Sequence, residues 1–366
     1  MMRNELRIDE RRCNGCGYCI VFCPTQCMVR ELERMSSLGY ALPVLTKPEQ
    51  CSACGICARM CPRWAIEVVR YSEEQEGAAT EEKVAALTLE PPLSGCAGCQ
   101  HPTVGRIVAE VVTELGVDKK VIALENIPCS ISSAFGMDFG RKITNEEIAL
   151  DVATAAKRAS PDAPVIVIQG YWGLSDFSLD VGALIGALIR GENLTLVLCN
   201  MPFYGPKDGR PAPANEPVEG RLEPVTRIRT PEGEKLLVGG YPLHLAELVA
   251  SFDGCAYSAR GTITSMKEYQ RTKNYFKRAV QKQMNGSGLT FVEVLCSCSD
   301  PTYSAPIDSL RWVEQAMTAR FPLGEFKVEN QEQCCQNRNE NGQIDHYGCN
   351  YRRVIASGKS LPSEKP

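Results

Sequence analysis

The chain has 366 residues and a formal net charge of −4, with 23% charged and 7% aromatic residues. That balance carries no basic footprint for nucleic acid or an anionic membrane surface, and three histidines are too few for a histidine-rich metal site. The count that stands out is nineteen cysteines. The chain has no apolar run long enough to span a bilayer, and its opening MMRNELRIDERR has no apolar signal core, so these cysteines point to cluster ligands in a reducing cytoplasm.

The first 71 residues read as one small unit. Cys13, Cys16, Cys19 and Cys23-Pro24 form a ladder that returns as Cys51, Cys54, Cys57 and Cys61-Pro62. Closely spaced thiolates on a short loop each reach a different iron of one cube, while the fourth cysteine, followed by proline, serves the neighbouring cluster. One [4Fe–4S] cluster is therefore assigned to Cys13, Cys16, Cys19 and Cys61, and a second to Cys51, Cys54, Cys57 and Cys23. Zinc favours paired CxxC ligands, and a disulfide scaffold has no need of this doubled rhythm. Cys27 falls outside the rhythm and is expected to pack as a small apolar side chain. Between the two runs, MVRELERMSSLGYALPVLTKPEQ predicts a short helix and then a strand ending at Lys47-Pro48, and WAIEVVRY predicts a closing strand.

Residues 72–90 are acidic and poor in aromatics, which predicts a linker ending at Pro91-Pro92. Strand and helix patterns then alternate through residues 91–330. PTVGRIVAEVVTELGV, NEEIALDVATAAKRA, DVGALIGALIRG, LHLAELVASF and KEYQRTKNYFKRAVQKQM predict helices; KKVIALEN, VIVIQG, LTLVLCN and LTFVEVL predict buried strands. This order predicts an α/β fold with a doubly wound parallel sheet, preceded by the small α+β unit, with ligands at the carboxyl ends of the strands. Residues 331–366 form a polar tail without pattern.

Cys96 and Cys99 open the larger unit as a CxxC pair, Cys129 follows the first strand and Cys298 the last. Four thiolates on one sheet edge suit a third [4Fe–4S] site, although a lone CxxC equally suits zinc or redox exchange. Cys296, Cys199 and Cys255 are expected to pack, Cys255 within a loop. Cys334, Cys335 and Cys349 lie in the tail, and neighbouring cysteines reach two irons of one cube poorly. No partner for His244 or His346 is legible.

Several segments resemble the β-subunits of 2-oxoacid:ferredoxin oxidoreductases, which bind thiamine diphosphate: SGCAGCQHPTVGRIVAEVVTELG, ATAAKRASPDAPVIVIQG, FYGPKDGRPAP and FVEVLCSCSDPTYSAPIDSLRWVEQAM. RMSSLGYALPVLTKPEQCSACGICARMCP resembles the small ferredoxin subunit of the 2-oxoglutarate-type enzymes. The resemblance implies a thiamine diphosphate-binding type of sheet and a third cluster on Cys96, Cys99, Cys129 and Cys298. It implies His101 as a catalytic residue, and Gly170, Asn200, Tyr204 and Gly205 around thiamine diphosphate and Mg²⁺. The implied reaction is oxidative decarboxylation of a 2-oxoacid to an acyl-CoA and carbon dioxide, with electrons leaving through the clusters. An α-type subunit, a soluble ferredoxin and coenzyme A are the implied partners.

The chain departs from the family at the diphosphate pocket. Tyr171, followed by Trp172, stands where a Mg²⁺-ligating Asp belongs, Met201 falls on the second ligand position, and Glu146-Glu147-Ile148 replaces His-Gly-Arg. Mg²⁺ requires oxygen ligands. Asp176, Asp180 and Asn200 are the alternative donors nearby. This pattern raises a second reading, in which the chain keeps the wiring and serves as an electron-transfer subunit, and a third, in which the altered pocket takes a different substrate or cofactor.

Overall fold

The computed structural model describes residues 3–73, 79–84, 96–126, 141–144, 149–171, 181–200, 203–207, 210–213, 225–230, 233–238, 243–297 and 305–328. The N-terminal unit comprises β1 (Arg3–Ile8), α1 (Tyr18–Val21), β2 (Met28–Met35), β3 (Ala41–Leu45), α2 (Ile56–Arg59), β4 (Ile66–Glu73) and β5 (Ala79–Val84). Strand β1 pairs antiparallel with β4. The segment between the cysteine runs differs from its reading as a short helix and a strand, because β2 and β3 pair as a hairpin. Residues 79–84, read as linker, add β5 to the free edge of β4.

The two cysteine runs repeat in backbone as well as in sequence. Gly15, Gly17 and Gln26 have φ of 67°, 81° and 49°; Ala53, Gly55 and Trp64, each displaced by the offset that carries Cys13 to Cys51, have 48°, 73° and 49°. A ligand loop must bend sharply to aim successive side chains inward, and left-handed residues supply that bend.

The larger unit comprises α3 (His101–Glu114), β6 (Ile122–Asn126), β7 (Arg141–Thr144), α4 (Ala149–Ala159), β8 (Val165–Tyr171), α5 (Val181–Arg190) and β9 (Thr195–Asn200). It continues through the hairpins β10 (Phe203–Lys207)–β11 (Arg210–Pro213) and β12 (Val225–Thr230)–β13 (Gly233–Val238). There follow α6 (Leu245–Ala250), β14 (Cys255–Thr262), α7 (Met266–Met284), β15 (Leu289–Leu295), α8 (Pro306–Trp312), a π-helical turn Val313–Met317, α9 (Thr318–Arg320) and β16 (Gly324–Val328). Seven strands join in the order β16-β14-β15-β9-β8-β6-β7. All the pairings are parallel except β14 with β16.

Alternation along each strand splits the core into two layers. Ile166, Ile168, Val197, Val292 and Val294 pack with α3 and α7 on one face. Val165, Val167, Leu196, Leu198 and Phe291 pack with α4, α5 and α6 on the other. A parallel sheet buried on both faces explains why its strands read as continuous apolar runs. Cys255 opens β14 and is buried, where the sequence was read as a loop.

The N-terminal unit is docked on the α3 layer. Met60 belongs to that core, and Phe22 and Ile56 pack against it. Arg106 of α3, 3% exposed, donates from Nη1 to the Ala58 carbonyl at 3.4 Å and lies 5.6 Å over the Trp64 ring.

Candidate functional site

The doubled ladder closes around two recesses. The first, of about 390 Å³, is lined by Cys13, Cys16, Cys19 and Cys61, together with Arg30 and Arg63. The second, of about 360 Å³, is lined by Cys51, Cys54, Cys57 and Cys23, with Cys27 also on its wall and no arginine or lysine. The fourth cysteine of each run thus lines the recess built by the other run. The sulfurs ring a space rather than meet at a point. Among the described residues, no three Cys, His, Asp or Glu side chains are grouped to hold a single ion.

Burial pushes the Cys16 thiol up to about 12, reinforced by Cys61, and pushes Cys57 up to about 12, reinforced by Cys54. Cys23 moves the other way: burial raises it, but the Cys27 backbone N–H and the Thr25 and Cys27 side chains hold it below the ordinary thiol value. Cys27 packs in the small unit's core, 2% exposed, with its sulfur 3.3 Å from that of Cys23. Metal ligation removes the thiol proton outright, so iron binding offsets the cost of gathering these groups.

A third arrangement forms at the carboxyl edge of the parallel sheet. The turn carrying Cys96 and Cys99 is fastened there by Gln100, which is 1% exposed. The Gln100 side chain donates to the Ile263 carbonyl at 2.8 Å and accepts from the Ser297 N–H at 2.8 Å, and its own N–H donates to the Ser297 carbonyl at 3.3 Å. Ile263 and Ser297 follow β14 and β15, so the CxxC turn lies at the strand ends. Cys298, next after Ser297, and Cys129 lie outside the described residues, as do Cys334, Cys335 and Cys349. His101 opens α3, is 1% exposed, and has Nδ1 3.4 Å from Cys99 Sγ. Burial lowers its pKa to about 4, so it is a neutral imidazole beside sulfur.

The diphosphate candidates Gly170 and Asn200 end neighbouring strands, with Tyr171 opposite Asn200 in the register. Asn200, 3% exposed, donates from Nδ2 to Glu293 Oε1 at 2.6 Å. Because Glu293 accepts, this contact uses the Asn200 amide nitrogen and not its oxygen. Glu293 also accepts from Arg260 Nε at 2.8 Å, a network that sequence reasoning missed because its members lie on three strands and a helix. Tyr204 and Gly205 fall in β10 rather than in a loop. Met201, Trp172, Asp176, Asp180, residues 146–148 and His346 lie outside the described residues. His244 pairs with Glu247 at 3.5 Å and with the Phe321 ring. Cys199 and Cys296 are buried in the core, as expected. No helix among the described residues is long and apolar enough to cross a membrane.

The contact between the units reaches this edge. Tyr18 Oη, from the first cysteine run, lies 2.8 Å from the Gly98 carbonyl and 2.8 Å from Ser297 Oγ. Cys16, Tyr18 and Leu310 form a small buried cluster against which Phe22 and Ala97 pack.

Comparison with known proteins places these features. The 4Fe-4S binding domain family matches residues 6–29. The ketoisovalerate oxidoreductase subunit VorA of Methanothermobacter thermautotrophicus is 29% identical over 237 residues, which is 65% of this chain and 48% of that protein. VorA of Methanothermobacter marburgensis is 28% identical over the same length. The chain thus spans about half the length of the curated relatives it matches. A solved 2-oxoglutarate:ferredoxin oxidoreductase from Magnetococcus marinus aligns with 74% of this chain and 94% of its own at TM-score 0.44 and 18% identity. Benzoylformate decarboxylase from Polynucleobacter necessarius covers 56% of this chain and 35% of its own at TM-score 0.32 and 13% identity. Those structural likenesses are distant.

Proposed function

We propose, from its homology to the ketoisovalerate oxidoreductase subunit VorA and its N-terminal 4Fe-4S binding domain, that this chain is the iron–sulfur subunit of a 2-oxoacid:ferredoxin oxidoreductase. The observation that carries the reading is the pair of cysteine-lined recesses, the first of which packs beside the Cys96–Cys99 turn. In this reading Cys13, Cys16, Cys19 and Cys61 hold one [4Fe–4S] cluster, and Cys51, Cys54, Cys57 and Cys23 a second. Cys96, Cys99, Cys129 and Cys298 hold a third. Each cluster takes one electron at a time, so a series of them suits a donor that releases two. That donor is a 2-oxoacid, oxidised with loss of carbon dioxide while coenzyme A receives the acyl group; a soluble ferredoxin takes the electrons.

Among the described residues, the ends of β8 and β9 do not by themselves complete a Mg²⁺ site, and Asp176 and Asp180 lie outside them. The strand end Gly170–Tyr171 supplies no carboxylate, and Asn200 supplies one oxygen, whereas Mg²⁺ demands a near-octahedral set of oxygens. No chemical step is assigned here to thiamine on this chain. The chain's own residues hold the clusters, fix the units against each other and keep water from the junction. An α-type partner completes the active site.

Tyr171 and Met201 favour one second reading, a subunit that relays electrons for another enzyme. Cofactor analysis of the anaerobically purified chain, alone and with an α-type partner, separates the two. The first reading expects about twelve iron atoms per chain and ferredoxin reduction that depends on both the 2-oxoacid and coenzyme A. Twelve irons with no such activity in the complex favours the relay, and about eight irons refutes the third cluster.

A further inference from the structure

Tyr18 stands between the ligand cysteines Cys16 and Cys19, yet its side chain leaves the ferredoxin unit. It is 1% exposed, and its phenol meets three groups of the larger unit: the Gly98 carbonyl at 2.8 Å, Ser297 Oγ at 2.8 Å and the Pro306 carbonyl at 3.2 Å. Gly98 lies inside the Cys96–Cys99 turn. A phenol has one proton to give and lone pairs to receive; the Gly98 and Pro306 carbonyls accept, Ser297 Oγ also reaches the Gly98 carbonyl at 3.3 Å, and either hydroxyl can be the donor between Tyr18 and Ser297. Its ring is wedged edge-on against Phe22, with centroids 5.6 Å apart. Leu310 and Ala97 close the remaining sides.

The internal repeat shows that a ligand loop does not itself need this phenol. The offset that carries Cys16 to Cys54 carries Tyr18 to Ile56, an apolar residue packed on the α3 core. The hydroxyl thus serves the contact with the other unit. Burying it is favourable only because all its neighbours are polar partners in place.

We propose that Tyr18 is a positioning residue for electron transfer, fixing the first cluster's approach to the Cys96–Cys99 site. One electron passes from the cluster at Cys96–Cys99, which is oxidised, to the cluster in the first recess, which is reduced. The phenol keeps its proton and changes no oxidation state. The inference rests on the three-cluster reading above.

The test uses the full chain, anaerobically prepared, with cluster number fixed first by iron content and electron paramagnetic resonance. Flash photoreduction then follows transfer between clusters in the unsubstituted chain, Tyr18→Phe and Tyr18→Leu. Tyr18→Phe is expected to keep its iron and the separate cluster signals. It should slow the transfer about tenfold and weaken the magnetic splitting between clusters, since ångström-scale misplacement costs at least that where geometry sets a rate. A Tyr18→Phe chain that transfers at the unsubstituted rate while Tyr18→Leu is slow overturns the role of the hydroxyl. Should Tyr18→Phe lose clusters, Ser297→Ala decides: slowed transfer supports the proposal, and an unchanged rate overturns it. Only two clusters in the unsubstituted chain overturn both this inference and the reading beneath it.

Discussion

At the scale of single residues, the crossed ligation proposed for the two recesses makes a claim that neighbouring positions can test. Cys61 belongs in sequence to the second run but lines the recess of Cys13, Cys16 and Cys19. Cys61→Ser should therefore damage the first cluster and spare the second, and Cys23→Ser should do the reverse. Iron content with electron paramagnetic resonance of each variant checks it; loss of the same cluster from both would sink the assignment. Arginines stand beside both recesses. Arg63, 6% exposed, and Arg30 line the first, and Arg106 acts electrostatically on Cys61, while Arg59 and Arg70 donate to the Cys54 and Ala53 carbonyls of the second. A nearby positive charge favours the more negative, reduced form of a cluster. Arg63→Gln should lower the first cluster's reduction potential by on the order of tens of millivolts and leave the second in place, as read by redox titration. The grouping of the cysteines around two recesses was legible because eight of them at short local spacing carry their own geometry. The arginines were not, because nothing near Arg63 or Arg106 in sequence says which recess they face.

Among the elements, β14 shows how a central strand escapes notice. Its sequence CAYSARGT lacks an apolar run, yet every residue is buried. Arg260, wholly buried in its middle, is held by Glu293 of β15 and by Glu247 of α6, and it lies against the Phe321 and Phe326 rings. Partners from three other elements make the polar strand buriable, and no local pattern encodes them. Strand β2 escaped for the opposite reason. MVRELERM is built of good helix formers, and only Met28 is buried, so the pairing with β3 decides its conformation. By contrast β8, β9 and β15 were legible as buried apolar runs. Arg260→Ala should cost about 3–5 kcal/mol in chemical unfolding, because it strands the buried Glu293 carboxylate; a loss near zero would show that the network is incidental. Glu247 adds a pH signature. Burial raises its pKa, but hydrogen bonds and charge from Arg260 outweigh that and hold it below the ordinary carboxylate value. Its contribution is present above the unfolded carboxylate pKa and fades as pH falls through the folded one. Glu247→Gln should accordingly lose stability at neutral pH but flatten its decline in acid, as thermal melts across that range would report.

Across the whole molecule, the proposed electron path needs two units holding one orientation, and α3 is the element that contacts both. Its first turn carries His101 beside Cys99, and its middle carries Arg106 under the ferredoxin unit. One rigid helix of 14 residues thus joins the sheet edge to the underside of the cysteine loops. Arg106 is fixed from both sides, by the Ala58 carbonyl and Trp64 ring above and by Glu110 at 3.4 Å on its own helix. Glu110 is in turn held by Lys273 of α7 at 2.6 Å. Removing the guanidinium leaves a buried carbonyl and a carboxylate short of a partner, a loss of about 1–3 kcal/mol. The penalty falls on the junction, because neither cysteine recess takes a ligand from Arg106. Arg106→Ala should retain iron in both proposed ferredoxin clusters and yet lower the thermal midpoint and, on the three-cluster reading proposed above, weaken magnetic coupling to the Cys96–Cys99 site. Arg106→Lys keeps the charge but loses the planar fork, and is expected to recover stability only in part. Unaltered coupling in Arg106→Ala would mean that the units are held elsewhere, and that α3 is merely packed beneath the clusters.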